Sequence, residues 1–424
     1  MTGNKRDYLN TMIFQPKIRL MLAVKVGSFI SGLSRKMQMG EGAVVGGRIA
    51  LKIEPDLLSL LSESKTSILV SGTNGKTTTT KLLSAALSSA GSVVSNSAGA
   101  NMPAGLVAAL WSAKAKDFAV LEVDEAHLGI VAPSVKPKVV VLLNLTRDQL
   151  DRVSEVRMLA KKWKDVLASI PKTVVVANAD DPIVVWAVKS SPKVLWAQVG
   201  HSWISDANGC PNCGGKINYS ESEWHCSNCD LKKPSPQGYL DGNYFHLQDG
   251  TSYEINLSLP GRVNQSNAAM AAMAASIFGL DYKSCFESMQ SLKQVAGRYD
   301  EVEIDGVRVR LLLAKNPAGW AEIFSFLSSD NIPVVIGINA QIADGKDPSW
   351  LWDVEFEKFA DRFVVATGSR AYDLGVRLSY AEVPHEVEQD FVAAIKRANS
   401  SRVDFIGNYT AFQQLRSLAK KAYK

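Results

Sequence analysis

Cysteine is scarce, with five residues in a chain of 424, too few to staple a fold of this size with disulfides. Long apolar runs are missing too. The longest near the N-terminus, Leu20 to Leu33, is broken by Lys25 and has no small-residue cleavage site, so it fits neither a signal peptide nor a membrane span. No block of like charges stands out: 47 basic against 42 acidic residues leave a net +5 spread along the chain, and nothing reads as a nucleic-acid tail. Internal repeats and low-complexity segments are also lacking. With 46% hydrophobic and 21% charged residues, the chain is an ordinary globular one, long enough for two or three domains and expected in the cytoplasm.

Residues 1 to 40 carry seven basic side chains (Lys5, Arg6, Lys17, Arg19, Lys25, Arg35, Lys36) and one acid, Asp7, interleaved with Ile18, Met21, Leu22, Val26, Phe29 and Leu33. This predicts a basic amphipathic helix over a segment 1–54, packed on the main body or, as the alternative, lying on a membrane surface. From Ser67 the texture changes. Ile68–Val70, Phe118–Val123, Val139–Leu143 and Val174–Ala177 are short apolar runs separated by helical stretches, the alternation of a parallel sheet with crossover helices. A polar insert occupies 205–238, and an Ala/Met-rich helix follows at Asn267–Phe278. A smaller α/β unit is expected over 301–424. There Val302–Leu313 alternates like a hairpin about Asp305-Gly306, and Val334–Ile338 and Phe363–Ala366 read as buried strands.

Two local patterns carry chemistry. Ser71-Gly72-Thr73-Asn74-Gly75-Lys76-Thr77-Thr78-Thr79 lies between an expected strand and an expected helix. In that setting glycines let backbone N–H groups curl around a phosphate, a lysine reaches the terminal phosphates and a threonine hydroxyl meets Mg2+. The loop is shorter than the general phosphate-loop pattern, because Val70 stands where the first glycine would be. The second pattern is Cys210-Pro-Asn-Cys213 and Cys226-Ser-Asn-Cys229, with 12 residues between the pairs. Four thiolates so spaced suit a closed, structural zinc site. His225 is expected at the surface, and Cys285, among Phe286, Met289 and Leu292 at helical spacing, in the core.

The Gly-Thr-Asn-Gly-Lys-Thr-Thr loop resembles that of the Mur ligase and folylpolyglutamate synthase superfamily, which joins a carboxylate to an amine through an acyl phosphate. Further segments match in order: Leu121–Glu125, with Glu122 as the Mg2+-binding acid; Asn144–Asp151; Asn178–Pro182; Gly261–Asn267, with Asn267 against adenine; and Gly297-Arg298, with Arg298 reaching the phosphates. The resemblance thus implies ATP binding by Gly72, Thr73, Asn74, Gly75, Lys76, Thr77, Thr78, Asn267 and Arg298, and Mg2+ at Thr77 and Glu122. Gln149 replaces the histidine that amino-acid-adding members keep near a second metal, which puts that metal and its carbamylated lysine in doubt; Lys164 is the substitute.

A four-cysteine ribbon inserted in such a domain is similar to the MurT family, synthetase subunits of lipid II isoglutaminyl synthase. Leu313–Gly319 and Ala343–Asp353 look like that family's C-terminal signatures, and the likeness runs from about Ser31 to Ala411. It implies an α/β protein with a Mur ligase-like central P-loop domain over 55–300, a parallel sheet, an inserted zinc ribbon at Cys210, Cys213, Cys226 and Cys229, and a smaller C-terminal α/β domain. It implies ATP-dependent amidation of the D-glutamate α-carboxylate of lipid II at the inner membrane face, in a heterodimer with the glutaminase GatD. Asp347 is then the catalytic candidate of this chain, completing a Cys-His-Asp set whose other members lie on GatD. Ile338-Asn339-Ala340-Gln341 departs from the family's Leu-Asn-Asp-Asn.

A self-sufficient ligase adding an amino acid is the alternative, and Gln149 and the C-terminal signatures count against it. A nucleic-acid-binding ribbon is disfavoured because Glu221, Glu223 and Asp230 dilute Trp224, Lys216, Lys232 and Lys233.

Overall fold

The computed structural model describes residues 16–36, 42–96, 99–113, 118–147, 156–200, 203–259, 261–292, 299–325, 327 and 332–422. Among the described residues eleven strands precede the second unit: β1 Thr66–Ser71, β2 Val93–Ser95, β3 Phe118–Glu122, β4 Val139–Leu142, β5 Val174–Asn178, β6 Val194–Gln198, β7 Ile217–Tyr219, β8 Trp224–Cys226, β9 Gly238–Asp241, β10 Tyr244–Leu247 and β11 Ser252–Glu254. Nine of them form one sheet in the order β11-β10-β9-β6-β5-β4-β1-β3-β2, parallel from β2 to β9 and antiparallel beyond.

Both faces are covered, and successive residues of β1 show how. Ile68 and Val70 pack under helices Lys76–Leu87 and Arg262–Ser276 with Leu82, Met270 and Met273, whereas Leu69 points to Leu106, Leu128 and Trp163. This is the period of two that fills the two faces of a buried parallel strand. A further helical layer, Pro16–Lys36 and Gly42–Ile53, packs on helix Pro103–Trp111 through small residues: a Cβ on Gly47 would lie 2.0 Å from the Ala104 carbonyl oxygen. β7 and β8 form the hairpin of the insert, which leaves the sheet after β6 and returns as β9 beside it.

The second unit has a six-stranded sheet, β12 Tyr299–Ile304, β13 Val307–Leu313, β14 Val334–Gly337, β15 Val364–Thr367, β16 His385–Val387 and β17 Arg402–Gly407, in the order β12-β13-β17-β14-β15-β16. The expected hairpin is present. Asp305 and Gly306 both have positive φ, 48° and 80°, as a two-residue turn matching the strand twist requires.

Candidate functional site

β1 has β3 on one side and β4 on the other, so the chain reverses its winding there and leaves a crevice at the carboxyl ends of the strands. The glycine-rich loop fills that crevice. Gly75, at φ 84°, is the left-handed residue before helix Lys76–Leu87, and a Cβ on it would lie 2.6 Å from the Asn267 side-chain oxygen. Glycine is therefore needed both for the turn and for the approach of helix Arg262–Ser276.

Two later segments hold the loop's shape. Asn144 accepts from the Asn74 N–H at 2.9 Å and donates to the Asn74 carbonyl at 3.1 Å. Thr73 Oγ1 exchanges hydrogen bonds with both backbone groups of Thr146, each at 3.0 Å. Asp181, fully buried, accepts from Leu145 N–H at 2.9 Å while capping the helix that begins at Pro182. The family-like segments at 144 and 178 thus act as scaffolding for the loop.

At the start of the helix Thr77 Oγ1 donates to Glu122 Oε2 at 2.8 Å, and Asn101 donates to Glu122 Oε1 at 3.3 Å. Asn96 fixes the strand end by bonding both backbone groups of Glu122. A hydroxyl and a carboxylate so paired form the hard oxygen donor set that suits a divalent cation shared with phosphates. Thr78 is buried in the same turn. Lys76 is also buried, and its Nζ donates to Glu125 Oε2 at 2.7 Å and to the Thr73 carbonyl at 3.1 Å. Glu125 is in turn positioned by Trp163, whose indole N–H donates to the Glu125 carbonyl at 2.9 Å. The sequence reading did not single out Glu125, Asn96 or Asn101. It also passed over Lys81, one helical turn past Thr77, whose ammonium pKa is lowered chiefly by burial, against the attraction of Glu122 and with the help of Arg416.

The Lys76–Glu125 pair gives a testable expectation. Phosphate arriving at Lys76 competes with a carboxylate already there. Glu125→Gln, which keeps an acceptor but removes the competing charge, is expected to lower the resting melting temperature and to enlarge the upward shift produced by saturating ATP. Equal ATP-induced shifts in both proteins would show that the pair does not compete with nucleotide.

Beside the loop is a cavity of about 340 Å³, in the range of small-ligand pockets. Asn74 and Asn267 line it together with Leu143, Val199, Trp203 and Met270, and the second unit adds Ala318, Glu322 and Ser325. The two units meet here directly. Asn316 caps helix Pro317–Phe324 by accepting from the Gly319 N–H, and it lies 3.4 Å from the Asn74 side-chain amide. Arg147 makes a second link, reaching Asp206 at 2.5 Å and Asp353 at 3.4 Å.

The three acids of the second C-terminal signature separate. Asp344 is buried and accepts from Thr410 N–H and Gln341 N–H, fastening its loop to helix Tyr409–Ala422. Asp353 takes part in the Arg147 link. Asp347 is exposed and accepts only a local bond from the Ser349 N–H at 2.8 Å among the hydrogen bonds described. In the divergent stretch, Asn339 is held by Asn408 and Ser369, whereas Gln341 is at the surface.

The four insert cysteines gather. Their Sγ atoms all lie within 4.8 Å of one another, with Cys210–Cys229 at 3.7 Å and Cys213–Cys226 at 3.5 Å. A tetrahedral ion about 2.3 Å from each sulfur sets sulfurs about 3.8 Å apart, so the set fits a closed metal site. The Gly215 N–H brings the Cys213 thiol down to about 6, while burial raises Cys210 to about 12. Trp224 anchors the ribbon, buried, with its indole N–H on the Ala179 carbonyl at 2.9 Å, and Lys233 pairs with Asp180 at 2.8 Å. Neither is presented for stacking on a base or meeting a phosphate backbone. His225 is exposed, and Cys285 is buried with its thiol raised to about 11.

Lys164 turns away from the loop and lies over the Trp186 ring, 4.9 Å from its centroid. Trp163 takes the inward position, so the structure does not bring Lys164 to the site. Arg298 and Gln149 fall outside the described residues.

Family models match two stretches of the chain, the Mur ligase middle domain at residues 70–275 and the MurT ligase C-terminal domain at residues 313–412. The chain is 30% identical over 409 residues to the MurT subunit of the glutamine-hydrolyzing lipid II isoglutaminyl synthase of Staphylococcus aureus (strain COL), covering 89% of this chain and 91% of that one. It is 28% identical over 419 residues to the subunit of the same name from Streptococcus pneumoniae (strain ATCC BAA-255 / R6), covering 90% and 93%. Among solved structures, a pseudomurein peptide ligase type C from Methanothermus fervidus superposes with a TM-score of 0.68 at 21% identity, over 84% of this chain and 79% of that one. That likeness concerns the fold.

Proposed function

The chain belongs to the MurT family and is a Mur-type ligase, and from that premise we propose that it is the synthetase half of a glutamine-dependent amidotransferase, converting the D-glutamate α-carboxylate of the lipid II stem peptide to D-isoglutamine. In this reading the substrate carboxylate attacks the γ-phosphorus of ATP and ADP leaves. Ammonia then attacks the acyl phosphate, its nitrogen forms the amide bond, and inorganic phosphate departs.

The observation that carries the reading is the set of Lys76, Thr77 and Glu122 at the helix end of a glycine-rich loop whose Asn74 lines a cavity shared by both units. Charge moving onto the phosphoryl oxygens is the main obstacle in such a transfer, and prearranged cations and N–H donors are what lower it. Lys76 leaves Glu125 for the terminal phosphates, the N–H groups at the start of helix Lys76–Leu87 face them, and Arg298 is assigned the same target. A magnesium ion held by Thr77 and Glu122 supplies further charge neutralisation when bound. Asn267 and the apolar cavity walls take the adenine ring.

Ammonia is assigned to a GatD-type glutaminase partner because all five cysteines of this chain are otherwise engaged: Cys285 is buried in the core and the other four are gathered at one point. Exposed Ile342 and Trp352 flank Asp347 in the sequence, and Tyr372, Val376 and Tyr380 are exposed on helix Ala371–Tyr380, whose Tyr380 meets Trp352 edge to face. Exposed aromatic and aliphatic side chains of this kind suit a protein interface. The test is co-purification with a glutaminase, followed by glutamine- and ATP-dependent conversion of the stem-peptide carboxylate to carboxamide, read by mass. Addition of an amino acid instead would refute the proposal.

We assign zinc to the four thiolates, where it serves folding of the ribbon. Replacing Cys210 and Cys213 together by serine is expected to abolish stoichiometric zinc and to lower the melting temperature in parallel. Metal-free protein from fresh reducing preparations, with wild-type stability, would count against the assignment.

A further inference from the structure

Helix Pro16–Lys36 is built inside out. Its fully packed positions are small residues: Ala23 is fully buried, Ser31 and Ser34 are nearly so, and a Cβ on Gly27 would lie 2.6 Å from the Trp111 ring, with Leu20 and Val24 partly buried beside them. Five large apolar residues are on the opposite side, with Ile18, Met21, Leu22, Phe29 and Leu33 between 41% and 72% exposed. At about 100° per residue these five fall within an arc of about 120°. A helix that only packs on a domain places its large apolar side chains inward and its polar ones outward.

Charge gives the stripe its partner. Helices Pro16–Lys36 and Gly42–Ile53 contain seven basic residues and no acidic one. Arg19 is engaged by Glu54 at 3.4 Å, but Lys25 is exposed within the stripe, and Arg48, Lys52 and the apolar Val45 are exposed on the neighbouring helix. No helix among the described residues is long and apolar enough to cross a membrane. An apolar stripe on helices whose charged residues are all cations suits the surface of an anionic bilayer, where side chains enter the acyl boundary and cations meet the headgroups.

We propose that this face is a membrane-surface contact that holds the enzyme against an anionic bilayer while it works on a lipid-linked substrate; the purpose, though not the contact, rests on the function read above. Position supports it. The two helices pack on helix Pro103–Trp111, and Asn101, just before it, donates to Glu122. The contact face therefore belongs to the helical layer packed on the element that follows Asn101.

The test uses the full chain with its glutaminase partner and flotation with vesicles of phosphatidylcholine alone or containing phosphatidylglycerol. Wild type is expected to float with the anionic vesicles and to be released by salt. Met21→Ser, Phe29→Ser and Leu33→Ser combined are expected to weaken binding by about tenfold or more, and Lys25→Glu with Arg48→Glu to remove the preference for anionic lipid. The triple variant should keep its melting temperature and its turnover of a lipid-free muropeptide, and lose turnover of the same peptide on a bilayer-embedded carrier. Absence of wild-type binding, or unchanged binding of the triple variant, overturns the proposal. So does a triple variant that merely turns a dimer into a monomer by light scattering, which would give the stripe to a second copy. If wild type floats but amidates neither substrate, the functional reading fails while the surface stands.

Discussion

Lys76→Ala is expected to lower ATP turnover by about 10³-fold or more, since the loop's remaining N–H donors still face the phosphates but the loop's own mobile charge at the terminal group is gone. The structure adds a second effect that the sequence alone does not suggest. Lys76 is buried against Glu125, and removing one member of a buried pair leaves the other charged in a poor solvent, a loss of about 3–5 kcal/mol. Stability and catalysis would then fall together, which makes the single variant ambiguous. The double change Lys76→Ala with Glu125→Ala removes both charges. It is expected to regain most of the lost melting temperature and none of the turnover, a non-additivity typical of contacting residues. A folded double variant with wild-type ATP turnover would refute the role of Lys76.

How much of this was legible in the sequence follows the range of each interaction. The phosphate loop, the two Cys-x-x-Cys pairs and the Asp305-Gly306 hairpin are local devices, fixed by residue type over a few positions, and each is found where its pattern lies. The parallel sheet is legible for a related reason. Runs such as Val139–Leu142 are apolar at every position because both faces are covered. Glu125 is a different case. It stands 49 residues from Lys76, and its meaning depends on the approach of two strand ends that no spacing rule supplies. The cavity is harder still, because Asn74 and Asn316 are 242 residues apart and only docking of the two units brings them together. The N-terminal helix shows the reverse limit. Periodicity identified an amphipathic helix, yet which face is packed was set by glycines and alanines that let neighbouring backbones approach closely.

Asp347→Asn is expected to cut glutamine-driven amidation by about 10³- to 10⁴-fold while leaving ammonium-driven amidation near wild type, because a neutral amide neither holds the needed imidazole tautomer nor stabilises imidazolium. The surroundings of the three neighbouring acids make this a discriminating experiment. Asp347 is exposed on its loop, bonded locally to Ser349, so a change there leaves the fold and nucleotide binding alone. Asp344 fastens that loop to the helix beginning at Tyr409; Asp344→Asn is therefore expected to lower stability and to impair both nitrogen sources. Asp353 joins the two units through Arg147, so Asp353→Asn should weaken ATP-dependent steps whichever nitrogen source is supplied. Only a carboxylate that reaches across to a histidine of the partner gives a loss that ammonium repairs. If Asp347→Asn retains glutamine-driven activity, or if saturating ammonium fails to restore it in an assembled complex, the acid does not orient the partner's base. The exposed Gln341, three residues before the Asp344 anchor, is then the place to look for a rearranged contact.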